Sequence, residues 1–193
     1  MSNIQIVLVF GLLLHYCFFI PVAESATYYV DKDSTHGTCA DSNNGTLGEP
    51  WCTIDKANAT LQSGDIVFIC AGTYTTSFIQ PQNSGSSQDA RITYKNYNGE
   101  KVTLQGTTYG VLLRNVSFIT VEGITFKDCG RNIYIDNSSQ NHIGYCIFDN
   151  PGGPVTWAGS RLYNSSTYNR IYNCTFSKYG KESYYSGSYQ DSG

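Results

Sequence analysis

Apolar residues in the second half of the chain recur at every other position in short runs, and three such stretches align with one another. The first holds Val111, Leu113 and Asn115, followed by Val121, Ile124 and Phe126. The second holds Ile133, Ile135 and Asn137, then Ile143, Cys146 and Phe148, and the third holds Leu162 and Asn164, then Ile171, Cys174 and Phe176. Their phenylalanines lie 22 and then 28 residues apart, so the chain carries an internal repeat. Strands this short cannot bury an apolar face alone and need a neighbouring repeat stacked on them. A repeat of this length, holding about three short strands, suits one coil of a parallel β-helix, with equivalent residues about 4.8 Å apart in successive coils. The pattern predicts three core columns: Leu113 on Ile135 on Leu162, Val121 on Ile143 on Ile171, and Phe126 on Phe148 on Phe176. Ile92 and Tyr94, followed by Val102 and Leu104, read as an earlier and less regular coil. Leucine-rich repeats share the period, but their LxxLxLxxN pattern and helical half are missing.

The first half has a different pattern. Tyr28, Tyr29 and Val30 open it, and a Gly, Asn, Asp and Ser-rich loop runs from Asp31 to Pro50. A short helix is predicted from Thr53 to Leu61, with Ile54, Ala57 and Leu61 on one face. Ser63, Gly64 and Asp65 stop it, a strand runs from Ile66 to Cys70, and Ala71 and Gly72 lead into Thr73 and Tyr74. Further upstream, Ile4 to Ile20 is an apolar run interrupted by Gln5, Gly11, His15 and Tyr16. With the small residues Ala23 and Ser25 ahead of a cleavage point before Ala26, residues 1–25 read as a secretory signal peptide. No Lys or Arg precedes the run, so a membrane is a partner only in an uncleaved form. The mature chain is expected outside the cell, as a monomer.

Composition narrows the function classes. A chain of 193 residues accommodates one domain. Its formal charge of −3, with 14% charged residues, lacks the basic excess that nucleic acid demands. Loss of the signal segment takes Cys17 with it and leaves Cys39, Cys52, Cys70, Cys129, Cys146 and Cys174, an even set in an exported chain. Cys39 and Cys52 are the best placed to pin the loop between them. Cys70 is a further disulfide candidate, and Cys146 and Cys174 share a core column where they can either bond or pack as free thiols. No CxxC or Cys/His cluster with zinc spacing is present.

The stretches TYYVDKDS (Thr27 to Ser34) and NNGTLGEPWCTIDKANATLQSGDIVFICAGTY (Asn43 to Tyr74) resemble the N-terminal opening of right-handed parallel β-helix proteins of the pectin-lyase-like superfamily. GITF (Gly123 to Phe126) resembles their coil consensus. The resemblance implies an all-β fold, a right-handed parallel β-helix (solenoid) with an N-terminal capping helix. Residues 26–74 would then be the opening and capping segment, 75–180 the coils, and 181–193 a disordered or truncated end. Further coils are expected beyond Gly193, because KESYYSGSYQDSG supplies no cap.

The superfamily hosts polysaccharide lyases, polygalacturonases, epimerases, tailspikes and adhesins, so resemblance specifies fold more than function. It implies a polysaccharide as partner, a polyuronate in the most specific version. A lyase of this kind needs a base to remove the proton α to a uronate carboxyl, and a cation or Ca²⁺ to stabilise the charge that develops. Two outward columns offer candidates: Arg114, Asp136 and Tyr163, and Lys127, Asp149 and Ser177, with Asp128, Arg131, His142, Arg161 and Arg170 nearby. Lys127, Asp128, Arg131 and Asp149 are the chosen catalytic candidates, because they cluster at one corner of consecutive coils. The plain alternative is that these are solvated turn residues, on a non-catalytic adhesion solenoid or a carbohydrate-recognition module.

Sequons occur at Asn44, Asn58, Asn115, Asn137, Asn164 and Asn173. Asn115, Asn137 and Asn164 share one repeat position and are expected to form a buried asparagine ladder in left-handed conformation. That leaves Asn44 and Asn58 as the glycosylation candidates. Exposed members of the 16 tyrosines would offer flat surfaces for sugar rings.

Overall fold

The computed structural model describes residues 25–149 and 159–177. Its strands, in chain order, are β1 (Thr27–Val30), β2 (Ile66–Ile69), β3 (Gly72–Tyr74), β4 (Ile92–Asn96), β5 (Val102–Gln105), β6 (Tyr109–Arg114) and β7 (Ile119–Glu122). They continue as β8 (Ile124–Lys127), β9 (Arg131–Asp136), β10 (His142–Gly144), β11 (Ile147–Asp149), β12 (Ser160–Tyr163), β13 (Arg170–Tyr172) and β14 (Thr175–Ser177). The helix α1 (Ile54–Thr60) lies between β1 and β2. Three sheets form: a first of order β1-β2-β4-β7-β10-β13, a second of order β3-β5-β8-β11-β14, and a third of order β6-β9-β12. All of these pairings are parallel and each joins one coil to the next, as in a β-helix. Among the described residues no helix is long and apolar enough to cross a membrane.

The three expected columns are all in register. Ile135 pairs with both Leu113 and Leu162, Ile143 with Val121 and Ile171, and Phe148 with Phe126 and Phe176. The rings of Phe126 and Phe148 stack with centroids 5.0 Å apart, and those of Phe148 and Phe176 at 4.9 Å. The earlier coil joins the same columns, Tyr94 beside Val121 and Leu104 beside Phe126.

Corners between sheets are made by residues in the left-handed region. Between the first and second sheets these are Gly123, Tyr145 and Asn173, at φ of 71°, 54° and 50°. Gly123 cannot be replaced freely, because a Cβ there would lie 2.1 Å from Asn96 Oδ1. Leaving the third sheet, Asn115, Asn137 and Asn164 take φ of 56°, 47° and 39°, as expected for asparagine. They differ from expectation in being exposed. Asn137 Nδ2 donates to Asn115 Oδ1 at 2.9 Å, whereas Asn164 Nδ2 turns to Asp136 Oδ1 at 2.6 Å.

The buried polar ladder lies further along the same turn. Asn141 Oδ1 accepts from the Ile119 amide at 2.9 Å, and Asn141 Nδ2 donates to the Val116 carbonyl at 3.3 Å and to Asn169 Oδ1 at 2.9 Å. Ser138 Oγ accepts from the Val116 amide at 3.1 Å. These side chains satisfy backbone groups that a tight turn would otherwise leave buried and unpaired.

At the N-terminal end Thr53 caps α1, its Oγ1 accepting from the Lys56 amide at 3.1 Å. Ile54, Ala57 and Leu61 are buried on the core side. The preceding loop is pinned by the Cys39–Cys52 disulfide and by Asp41, which accepts from the Cys52 and Thr53 amides. Trp51 stacks on Tyr28 at 4.6 Å.

Three expectations change. Cys70 is a buried free thiol, because its strand leaves it beside Asp31, away from Cys39 and Cys52, which bond to each other. Cys146 and Cys174 are free thiols in their shared column, the packing alternative of the two left open. Asn58 is 5% exposed, its Nδ2 donating to the Phe78 carbonyl at 2.9 Å and its Oδ1 accepting from the Gln80 amide at 3.1 Å, so a glycan cannot be carried there in the folded chain. Asn44 is exposed. The expected signal segment, apart from Ser25, and residues 181–193 lie outside the described residues.

Unreduced, denatured protein should take up iodoacetamide at Cys70, Cys129, Cys146 and Cys174, and at Cys39 and Cys52 only after reduction, as read by peptide mass spectrometry. Expressed in a glycosylating host, the folded protein should show a glycan at Asn44 and none at Asn58. Phe148→Ala, which empties the middle of a ring stack, should destabilise the fold by about 3–5 kcal/mol in denaturant titrations.

Candidate functional site

The four candidate residues lie along the corner that carries the chain from the second sheet into the third. Lys127 ends β8 and Asp149 ends β11, paired directly with one another, and Asp149 pairs on its other side with Ser177. Asp128 makes the turn at φ 53°, its amide donating to the Asp149 carbonyl at 3.0 Å. Arg131 opens β9 beside Tyr109. The carboxylates have protein partners: Asp128 Oδ2 accepts from Gln105 Nε2 at 3.0 Å, and Asp149 Oδ1 accepts from Ser177 Oγ at 2.7 Å. Behind them Cys129 is buried with its sulfur 3.3 Å from Thr107 Oγ1, and burial pushes its thiol pKa up. This corner therefore holds one amine, two carboxylates and one guanidinium across adjacent coils.

The outer face of the third sheet continues from that corner. Because Val111, Leu113, Ile133 and Ile135 point inward, Leu112, Arg114, Tyr134 and Asp136 point outward. Rings run along this face in a row, Phe78 to Tyr109 at 5.5 Å, Tyr109 to Tyr134 at 5.8 Å and Tyr134 to Tyr163 at 5.7 Å. Guanidinium groups lie over them: Arg131 is 5.2 Å from the Tyr134 centroid and 6.0 Å from that of Tyr109. Arg114 lies 5.8 Å from Tyr134 and Arg161 5.5 Å from Tyr163, all within cation–π range. Tyr109 and Tyr134 had no distinguishing signal beyond tyrosine abundance, although their position beside the outward arginines of the repeat would have picked them out. His142 and Arg170 fall on the first sheet, paired with each other, and do not join the corner. Burial first, then the neighbouring Arg91 and Arg170 charges, lower the His142 pKa.

Calcium takes about six to eight oxygen ligands, and the corner's two carboxylates are already engaged with Gln105 and Ser177. Among the described residues no set of three ligating side chains gathers there, so these residues do not by themselves make a Ca²⁺ site. The set that does gather is Asp31, His36 and Cys70, at the other side of the coil where the first sheet turns towards the second. Asp31 Oδ2 accepts from the His36 amide at 2.8 Å and faces His36 Nδ1 at 3.1 Å. Burial would raise the Asp31 carboxyl pKa, but the hydrogen bonds from His36 and the Thr35 backbone outweigh it and hold it below the ordinary range. The Cys70 thiol is pushed up to about 12 by burial, then by the charges of Asp31 and Glu100.

Comparison with known proteins bears on the fold. The crystal structure of the GH136 lacto-N-biosidase from Eubacterium ramulus, as its selenomethionine derivative, aligns at 17% identity and TM-score 0.55, covering 84% of this chain and 32% of that one. The native form aligns at 18% identity and TM-score 0.51, covering 78% and 30%. This chain thus spans about a third of that enzyme's length, and at such identity the likeness is one of fold. A structure named rhamnogalacturonan lyase aligns at 18% identity and TM-score 0.47, over 79% of this chain and 51% of that one. No curated protein matches the sequence. A family model described as "Pel9A-like, right handed beta helix region" matches residues 28–190, through every coil of the solenoid. The chain therefore belongs to the Pel9A-like family of right-handed β-helix regions.

Proposed function

We propose that this chain is part of a secreted, monomeric β-helix protein that binds polysaccharide along the outer face of its third sheet, and that it cleaves uronate-containing chains by β-elimination at the adjoining corner. The observation that carries this reading is the row Phe78, Tyr109, Tyr134 and Tyr163 flanked by Arg114, Arg131 and Arg161. Aromatic rings offer the flat apolar surface that the C–H face of a sugar ring covers. Guanidinium groups bind carboxylates through paired hydrogen bonds, which gives the face a preference for uronates.

At the corner, Lys127 is the group suited to take a proton. Phe126 points into the core, so the Lys127 side chain at the next position of β8 points outward, towards a substrate lying on this corner. It would remove the proton α to the uronate carboxyl while Arg131 holds the carboxylate. The electron pair released forms the new carbon–carbon double bond, the glycosidic carbon–oxygen bond breaks, and the leaving oxygen takes a proton from water. No step is assigned to Ca²⁺.

A purely binding role, as a recognition or adhesion surface, is the second reading. It is favoured by the arginines lying over rings of the same sheet and by the carboxylates being occupied by Gln105 and Ser177.

Affinity electrophoresis and absorbance of unsaturated chain ends, against pectate, alginate and chondroitin with and without added Ca²⁺, separate these readings. Tyr134→Ala and Arg131→Ala should each weaken binding about tenfold, or ~1.4 kcal/mol. Lys127→Ala should abolish the absorbance signal and leave binding in place. Binding without any signal from folded wild-type protein would remove the lyase and leave recognition, and absence of binding to every polyuronate would overturn the whole reading.

A further inference from the structure

We infer that Asp31, His36 and Cys70 form a binding site for a divalent cation of the zinc class, with Glu100 orienting the histidine. The three residues offer one oxygen, one nitrogen and one sulfur atom, all within 4.8 Å of one another. Ligand atoms about 2.0–2.3 Å from a tetrahedral Zn²⁺ stand roughly 3.3–3.8 Å apart. Closing the widest of these separations, at most 4.8 Å, to that range takes about 1.0–1.5 Å of side-chain movement.

The positions are built by the backbone. Val30 and Ile69 pair at the ends of β1 and β2, so Asp31 and Cys70 follow side by side on adjacent coils. The Cys70 amide donates to the Val30 carbonyl at 2.8 Å, and the Asp31 amide to the Trp51 carbonyl at 2.9 Å. His36 is delivered by a tight turn in which Ser34 takes φ 55° and its amide donates to the Asp31 carbonyl at 3.1 Å. The far end of that loop is tied by the Cys39–Cys52 disulfide. The donors are therefore held before any ion arrives, which lowers the entropic cost of binding one.

Two observations point to a cation. Asp31 is fully buried, and its Oδ1 has no hydrogen-bond partner. A buried carboxylate oxygen left unpaired is costly, and a metal ion is one of the few groups that satisfies it. Second, His36 stands between two carboxylates, one on the side of each ring nitrogen. Nδ1 faces the Asp31 carboxylate, and Nε2 lies 3.6 Å from Glu100 Oε1. The other Glu100 oxygen is anchored by the Ala71 amide at 2.6 Å. A small ring rotation on metal binding would bring Nε2–H within hydrogen-bond reach of Glu100 and leave Nδ1 to coordinate in place of its contact with Asp31.

Ligand softness selects the ion. A thiolate and an imidazole favour Zn²⁺ over Ca²⁺ or Mg²⁺, which take oxygen ligands. Three protein ligands leave a fourth tetrahedral position for water, on the side where the His36 ring, 26% exposed, reaches the surface. Asp31 and Cys70 belong to the first two coils and His36 to the N-terminal loop, so the bound ion would clamp that loop onto the end of the solenoid. The site is separate from the third-sheet face and does not depend on the polysaccharide reading.

The test uses the full chain, freed of any affinity tag, treated with chelator and exchanged into metal-free buffer without thiol reductant. Addition of Zn²⁺ alone, followed by calorimetry and thermal unfolding, should show one equivalent bound and a raised melting temperature. Co²⁺ as a probe should give an intense thiolate-to-cobalt absorption band that is absent in Cys70→Ser. His36→Gln, at a partly exposed loop position, should weaken Zn²⁺ binding at least tenfold while circular dichroism stays unchanged. Glu100→Gln, acting through the histidine, should weaken it by about 10- to 100-fold and leave the cobalt band in place. Absence of stoichiometric Zn²⁺ binding by the folded wild-type chain, or binding equally tight in His36→Gln, would overturn the inference.

Discussion

Everything in this molecule follows from the parallel register between coils. Each strand hydrogen-bonds to the equivalent strand of the next coil, so a residue's nearest neighbours above and below occupy its own repeat position. Whatever chemistry a position carries is thereby multiplied into a column. Phe126, Phe148 and Phe176 become a ring stack, and Val121, Ile143 and Ile171 an aliphatic one. No column can be altered in one coil without changing contacts in the two beside it, because interiors are packed too densely to relax around a missing side chain.

The same register governs the polar residues. A coil must turn sharply between sheets, and each turn leaves amides and carbonyls that cannot join a strand. Exposed turn positions are filled by asparagine in left-handed conformation, at Asn115, Asn137 and Asn164, and the Asn115 and Asn137 amides donate to carbonyls of the next coil. Buried turn positions need partners of their own kind, and Asn141 and Ser138 supply them to Ile119 and Val116. Arg91 extends this pattern from the side. Its guanidinium donates to Thr120 Oγ1, to the Ile119 carbonyl and to the Gln140 carbonyl, so one cation ties two consecutive turns together.

Two regions carry something other than core packing. On the third sheet, outward positions align into a ring row with guanidinium groups over it. Among the described residues the solenoid starts at β1. Asp31 and Cys70 there meet a loop residue, His36, in place of another coil. The two regions lie at different corners and have different chemistry, one an open face and the other a closed cluster of donors.

The repeat, the three core columns and the capping helix were legible in the sequence, because each depends on local spacing that parallel stacking converts directly into contact. Glu, Asn and Cys side chains at turns were not legible in the same way. Asn58 carries a sequon yet is buried against Phe78 and Gln80, since a loop folds over the helix that bears it. Asn141 shows no repeat signal stronger than that of Asn137, yet it is the buried one, because depth within a turn is set by how the coil curves and not by residue type. Asp31, His36 and Cys70 are separated by up to 39 positions in the chain. Only the pairing of β1 with β2 and the fold of the intervening loop bring them together. Sequence by itself determined which residues repeat and therefore stack; tertiary structure alone decided which non-repeating residues meet, because loops close by their ends and not by their pattern.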